Sequence, residues 1–234
     1  MYYRDGQFYE LKVQQIIFYF TVSLLLNAFG NGLSVSTNMG SAPWTAGAAN
    51  LAVLFHQPIW VFLGAIALTV AIANQFIAGR WDPRRLFGNV FFGLSFSLLV
   101  GLFSALFNHL GVPHLSLWWR IPLDLIGVVN VGVGISIYQR VNFIMHPIDD
   151  LTNITRFKYF HGNASKAQMS NFAVAISISA IAFFFSHKLV SLNIGTAFSF
   201  FLQGRIIGQT DRRLFPHLVH GNLEKIHKLK NKPQ

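Results

Sequence analysis

The chain has 234 residues, of which 53% are apolar and only 11% charged, with a formal net charge of +10 and no cysteine. A soluble domain carries about 25% charged residues, so this composition argues against an ordinary soluble domain. The lack of cysteine excludes disulfides and thiolate metal sites.

The charge is also segregated. No Asp, Glu, Lys or Arg occurs from Val13 to Gly79, from Leu86 to Trp119, or from Ala167 to His187. Crossing about 30 Å of hydrocarbon takes about 20 apolar residues, and the first of these runs is long enough to cross more than twice. A buried helix of a large soluble protein would show a charged outer face, which these runs lack.

In chain order, a polar stretch over 1–12 precedes a first span at 13–36. No small-residue cleavage site follows, so this span reads as a retained helix and not a signal peptide. Five more spans follow at 58–78, 87–107, 120–140, 167–187 and 191–210. Breaks rich in Gly, Pro and Asn separate them, at 79–85, 108–116 and around His161-Gly162-Asn163. The fold class is therefore an all-α bundle of six transmembrane helices. With the N-terminus inside, fifteen Lys and Arg fall in cytoplasmic segments and only Arg120 and Lys188 outside, with Arg205 inside the last span. This positive-inside bias places both termini in the cytoplasm. It also accounts for the high pI through anionic lipid, without nucleic acid. The tail over 211–234 is basic and dotted with apolar residues. It reads either as an amphipathic helix on the inner leaflet or as a solvated segment.

The halves 13–107 and 120–210 look like copies. Gly88-Asn89 and Gly195-Thr196 open spans 107 residues apart, followed by Gly101 and Gly208 at the same spacing. Gly30-Asn31-Gly32 leads to Pro43, as Gly132-Val133-Gly134 leads to Pro147, 104 residues later. A three-helix unit duplicated in tandem inserts its second copy upside down, as the charge bias independently requires. Such inverted repeats recur in secondary transporters, with the site at the repeat interface.

After spans 1 and 4 come short apolar or mixed stretches that open with proline, at 43–55 and from Pro147. Each reads as a short helix. The first would be either a half-helix dipping inward, with Gly40 and Ser41 offering free backbone N–H groups to an anion or carbonyl, or an interfacial helix anchored by Trp44. The second begins with Asp149 and Asp150, which suit a helix N-terminus and could also form a cation or proton site.

The run Met39-Gly40-Ser41-Ala42-Pro43-Trp44, then Pro147-Ile148-Asp149-Asp150-Leu151, then Asn193-Ile194-Gly195-Thr196, resembles the YczE/YyaS/YitT-type bacterial membrane proteins over about residues 15–210. In that family an Asp commonly follows Pro-Trp; here Thr45 stands in its place. The resemblance implies a bacterial plasma-membrane protein. Some members carry the label of sugar permease, which by itself names no substrate.

Among polar groups in the spans, Arg205 ranks first, because Asp149 or Asp150 could approach it from the cytoplasmic side. Asp124 follows Arg120 by one turn, as an i, i+4 ion pair would. Asn27, Asn31, Asn74, Gln75 and Asn130 suit helix–helix contacts, and Asn31 and Asn130, beside glycines, could line a site. No metal spacing, phosphate loop or dinucleotide fingerprint occurs. Ser95 lacks the following glycine of a serine-nucleophile turn, so an intramembrane protease is not indicated. The expectation is a small-molecule transporter or permease without cofactor or catalytic residues, with homo-oligomerisation left open. The rival is a membrane factor that binds a partner protein or anionic lipid through its cytoplasmic loops and tail.

Overall fold

The computed structural model describes residues 2–4 and 7–220. Among these residues a two-stranded antiparallel hairpin, β1 (Tyr2–Arg4) and β2 (Gln7–Tyr9), precedes eight α-helices. These are α1 (Val13–Thr37), α2 (Pro43–Phe55), α3 (Ile59–Ala78), α4 (Pro83–His109), α5 (Leu117–Val141), α6 (Pro147–Lys158), α7 (Ala164–Ser186) and α8 (Ile194–Arg213). Six are long, and the short α2 and α6 fall after the first and fourth long helices.

Five of the long helices, α1, α3, α4, α5 and α7, are long and apolar enough to cross a membrane. The sixth, α8, falls short because Arg205, Gln209, Asp211, Arg212 and Arg213 occupy its second half. Large apolar side chains such as Phe76, Phe87, Leu102, Phe184 and Phe201 stand on the outer surface at 67–74% exposure. Water would penalise such a surface, whereas lipid is its natural solvent.

Local chemistry sets the helix ends. Asp82 caps α4, its Oδ1 accepting the Arg85 N–H at 3.0 Å. This starts the helix at Pro83, four residues before the sequence-based boundary. Helix α5 likewise starts early, at Leu117, so Pro122 lies inside it and not in its first turn. Asn38 and Asn142 end α1 and α5 in the left-handed region, at φ 52° and 49°. Asn tolerates that region better than most residues.

Helices α1 and α5 form the centre and pack on each other. Helix α4 flanks α1, α8 flanks α5, α2 lies against α3 and α7, and α6 lies against α3 and α7. Leu24, Ala28, Phe92, Phe96, Val131 and Ile135 belong to the main apolar cluster.

Several contacts recur at an offset of 104 residues between α1 and α5 and 107 between α4 and α8. Helices α1 and α5 both have 25 residues, and α5 starts and ends 104 positions after α1. A Cβ on Gly30 would meet Gly127 O at 2.4 Å and Val131 at 2.8 Å. A Cβ on Gly134 would meet Ser23 O at 2.7 Å and Asn27 at 2.9 Å. Gly40 abuts Gly195 and Thr196, and Gly88 abuts Ile144. The Ser41 N–H reaches Thr196 Oγ1 at 3.3 Å, and Asn89 Nδ2 donates to Met145 O at 3.0 Å.

The correspondence breaks at the periphery. Helix α3 packs along α4, but α7 and α8 share no extended interface. A Cβ on Gly101 would strike Trp60 at 2.8 Å, while one on Gly208 or Gly204 would meet nothing within 4 Å.

At the other end, Arg140, 1% exposed, donates to the carbonyls of Leu214, Phe215 and Leu218 at 2.9, 3.1 and 3.2 Å. Leu218 packs with Ile137 and Val141, and the Tyr3 N–H meets His217 O at 2.8 Å. Residues 214–220 are therefore neither a solvated tail nor an amphipathic helix, but a plug on α5 and the N-terminal hairpin. The rest of the expected basic tail, 221–234, lies outside the described residues.

Candidate functional site

A cavity of about 280 Å³ lies between the two halves. The middle of α1, the second half of α5 and the first turns of α2 and α6 border it, and α7 and α8 contribute Gln168, Phe172, Gln203 and Ile207. Pro43 to Asn50 of α2 are all buried, so α2 sits within the bundle and Trp44 is not an interfacial anchor. Proline at the first position of both short helices costs no hydrogen bond there, because that N–H has no intrahelical acceptor in any case.

One wall is a hydrogen-bonded chain. Thr45 Oγ1 donates to Asn31 Oδ1 at 2.8 Å, and Asn31 Nδ2 donates to Asn27 Oδ1 at 2.8 Å. This ties the start of α2 to the middle of α1. On the opposite half, the Tyr138 hydroxyl donates to Asp149 Oδ2. His146 caps α6, its Nδ1 accepting the Ile148 N–H at 3.3 Å, with its ring edge-on to Phe92 and Phe96. Asp149 and His146 lie in the segment between α5 and α7, outside the long helices. Burial pushes the Asp149 carboxyl up to about 6, the Tyr138 hydroxyl pulling the other way and Asp150 adding to the rise. Burial pushes His146 down to about 3, so its imidazole is neutral. Among the described residues the lining holds one carboxylate and no Lys or Arg.

Of the residues picked out in the sequence, Asn31 and Asp149 line this cavity. Asp150 does not: Arg85 holds it bidentately, Nε at 2.7 Å and Nη2 at 2.5 Å. Arg205 lies on the exposed face of α8. With Asp149 bound to Tyr138 and Asp150 to Arg85, neither carboxylate pairs with it. Asn130 turns back on its own helix, donating to Ile126 O at 2.8 Å. Gly40 and Ser41 are buried against α8 and its preceding loop. The Ser41 N–H is taken by Ser191 O at 3.0 Å, so it offers no free donor there. Asp124 forms no ion pair with Arg120; both converge on Thr37, through its hydroxyl at 3.2 Å and its carbonyl at 3.2 Å. The Asp124 carboxylate abuts Gly195 in the first turn of α8, where the helix dipole favours it.

Sequence reasoning passed over Tyr138, His146, Thr45, Gln139 and Gln203 as site residues. Position alone offered a signal for two of them: His146 and Thr45 flank the prolines that open the short helices.

Fold and cavity together define a polytopic helical membrane protein with an internal polar site. The chain belongs to a family of unknown function, DUF6198, whose model matches residues 13–212. It is 26% identical over 196 residues to an uncharacterized protein of Haemophilus influenzae, covering 79% of this chain and 84% of that one. These matches carry no name of the YczE/YyaS/YitT type. No solved structure matches.

Proposed function

We propose that this is a small-molecule transporter of the bacterial plasma membrane, whose site is the cavity between α1, α5 and the first turns of α2 and α6. The observation that carries the reading is the convergence of two proline-opened short helices from the two halves on one mixed polar and apolar cavity. Transporter sites have this form: short or broken helices meet at the interface of repeats. In this reading the units are 13–107 and 120–210, an inverted pair. The correspondence between the Gly30–Val131 and Gly134–Asn27 contacts, and between the Gly40–Gly195 and Gly88–Ile144 contacts, supports that pairing.

The unequal periphery supports transport in particular. Helices α3 and α4 are closed against each other, while α7 and α8 are not. An inverted pair can exchange these two arrangements, which would open the cavity first to one side and then to the other. In this reading α8 is the sixth span and both termini are cytoplasmic. Arg140 leaves the basic count, being buried beside Asp211 at 3.3 Å, and fourteen cytoplasmic Lys and Arg still stand against two outside. The chain carries no nucleotide-binding motif, so transport is facilitated, ion-coupled or energised by another subunit. We read the protein as a non-enzyme.

The test is thermal denaturation of the detergent-purified protein against sugars, amino acids, nucleosides and organic ions. A ligand bound only by the folded state raises the melting temperature by mass action. A hit lost in Asp149→Asn and kept in Arg205→Ala, both folded, followed by uptake of that compound into proteoliposomes, supports the reading. Absence of any hit, with no uptake, sinks it.

A second reading draws on a separate groove, whose lining includes the exposed Arg80 and Arg84, Phe87 and Phe143, with Arg85 paired to Asp150 and with Asp82 as the other carboxylate. Exposed arginines beside exposed phenylalanines suit an anionic lipid headgroup with its chains. Stabilisation by phosphatidylglycerol that is lost in Arg80→Gln/Arg84→Gln, with no cavity ligand found, would favour a lipid-binding membrane factor.

A further inference from the structure

The two short helices are not equal where they face the cavity. Both begin with proline, and 104 residues separate Thr45, the third residue of α2, from Asp149, the third residue of α6. Asp149 places a carboxylate at the positive end of α6. Helix α2 has no acidic residue in its first turn. The backbone N–H groups of Trp44 and Thr45 have no acceptor among the described residues. Independently, Trp44, 7% exposed and lining the cavity, has a buried indole N–H without an acceptor among the described residues. A buried donor left unpaired costs about 1–3 kcal/mol, so this wall favours an acceptor that the described residues do not supply.

The opposite pole has the reverse need. Tyr138 occupies one oxygen of Asp149, no Lys or Arg among the described residues borders the cavity, and Asp150 is neutralised by Arg85. The remaining lining is mixed: Leu63, Ile66, Val131 and Ile135 supply apolar wall, and Gln168 and Gln203 are uncharged polar groups.

Resting on the transporter reading above, we propose that the cavity takes a small zwitterion, an amino-carboxylate. Its ammonium pairs with Asp149 and its carboxylate meets the Trp44 indole and the first turn of α2. A purely anionic ligand would meet Asp149 unscreened. A simple amine would leave the donors of α2 unpaired. The positive end of a short helix is a known seat for a substrate carboxylate in transporters.

The experiment measures thermal stabilisation of the purified full chain by L-leucine, 4-aminobutyrate and 6-aminohexanoate. Each is compared with its decarboxylated amine and its deaminated acid. The expected result is stabilisation by at least one zwitterion, with its amine and acid each at least tenfold weaker. Asp149→Asn weakens that zwitterion at least tenfold. Thr45→Asp, which puts a carboxylate at the equivalent position of α2, shifts preference from the zwitterion to its amine. The two variants act on opposite poles, so misfolding of one leaves the other as a test. An amine that binds the native protein as well as its zwitterion overturns the proposal, as does a zwitterion that binds Thr45→Asp unchanged. Stabilisation by a sugar or nucleoside, with none by a zwitterion, overturns the ligand class and leaves the cavity reading standing. No stabilisation by any compound overturns both.

Discussion

Gly30 and Gly127 lie backbone against backbone where α1 crosses α5: a Cβ on Gly30 would stand 2.4 Å from the Gly127 carbonyl oxygen, and one on Gly127 2.8 Å from that of Gly30. The Ser34 hydroxyl, 2.4 Å from a Cβ on Gly127, could rotate aside, but the two carbonyl oxygens are backbone and cannot. Small residues at helix crossings are how membrane helices gain close packing when no hydrophobic force acts between them. Gly30→Ala and Gly127→Ala should each cost about 1–3 kcal/mol, the usual penalty for overpacking. By contrast, Gly204 and Gly208 have open space at the Cβ position. Replacing either by Ala should leave stability unchanged or raise it by up to about 1 kcal/mol through helix propensity. Melting temperatures of the four variants in one detergent check both halves of the statement.

Arg85 and Asp150 join α4 to α6 through two hydrogen bonds, with the Asp150 side chain 4% and that of Arg85 26% exposed. The neighbouring Arg84 is exposed. Arg85→Ala should therefore destabilise by about 2 kcal/mol or more, since it leaves a buried carboxylate alone. Arg84→Ala should change little. Adding Asp150→Asn to Arg85→Ala should recover part of the loss, a coupling measured by a double-mutant cycle.

Arg140 holds the chain after α8 by three carbonyls, and Tyr19 and Phe215 pack edge-to-face across the same junction at 5.1 Å. Arg140→Gln keeps polarity but removes the forked donor that reaches several carbonyls at once. Limited proteolysis should then cut within 214–220 well before the native protein is cut there. Equal cleavage rates would mean that these carbonyls are held by something else.

Asp149 makes stability depend on pH. Its carboxyl is raised by burial to about 6 from a usual value of 3.8. The folded state therefore holds its proton more tightly than the unfolded chain does. The stabilisation from that proton is complete below about pH 4 and lost as pH rises through 6. Relative to Asp149→Asn, the native protein should gain on the order of 2 kcal/mol between pH 8 and pH 4. Parallel melting curves across that range check the sign, and a constant difference would show that Asp149 does not titrate there.

The lipid-facing architecture was legible in the sequence because it is written in one dimension. Uncharged runs long enough to cross a bilayer, with glycine and proline breaks between them, report the solvent of each segment directly. That reading placed six long helices to within a few residues and anticipated a helix at Pro43 and at Pro147. The count of helices apolar enough to span came out at five, because α8 gathers its polar residues in one half. Which polar residues meet was decided only in three dimensions. Arg205 drew attention because a charge within a span is conspicuous, yet on the outer face of α8 it has no role in the cavity. Asp149 and Asp150 are adjacent in sequence, but the turn of α6 sends one toward Tyr138 in the cavity and the other to Arg85 on α4. Arg140 looked like one basic residue among many until the chain after α8 folded over it. Solvent preference is a property of each residue's own side chain, so sequence determined it. Partnership is a property of two residues brought together by helix crossings, and close glycine packing between α1 and α5 set those crossings.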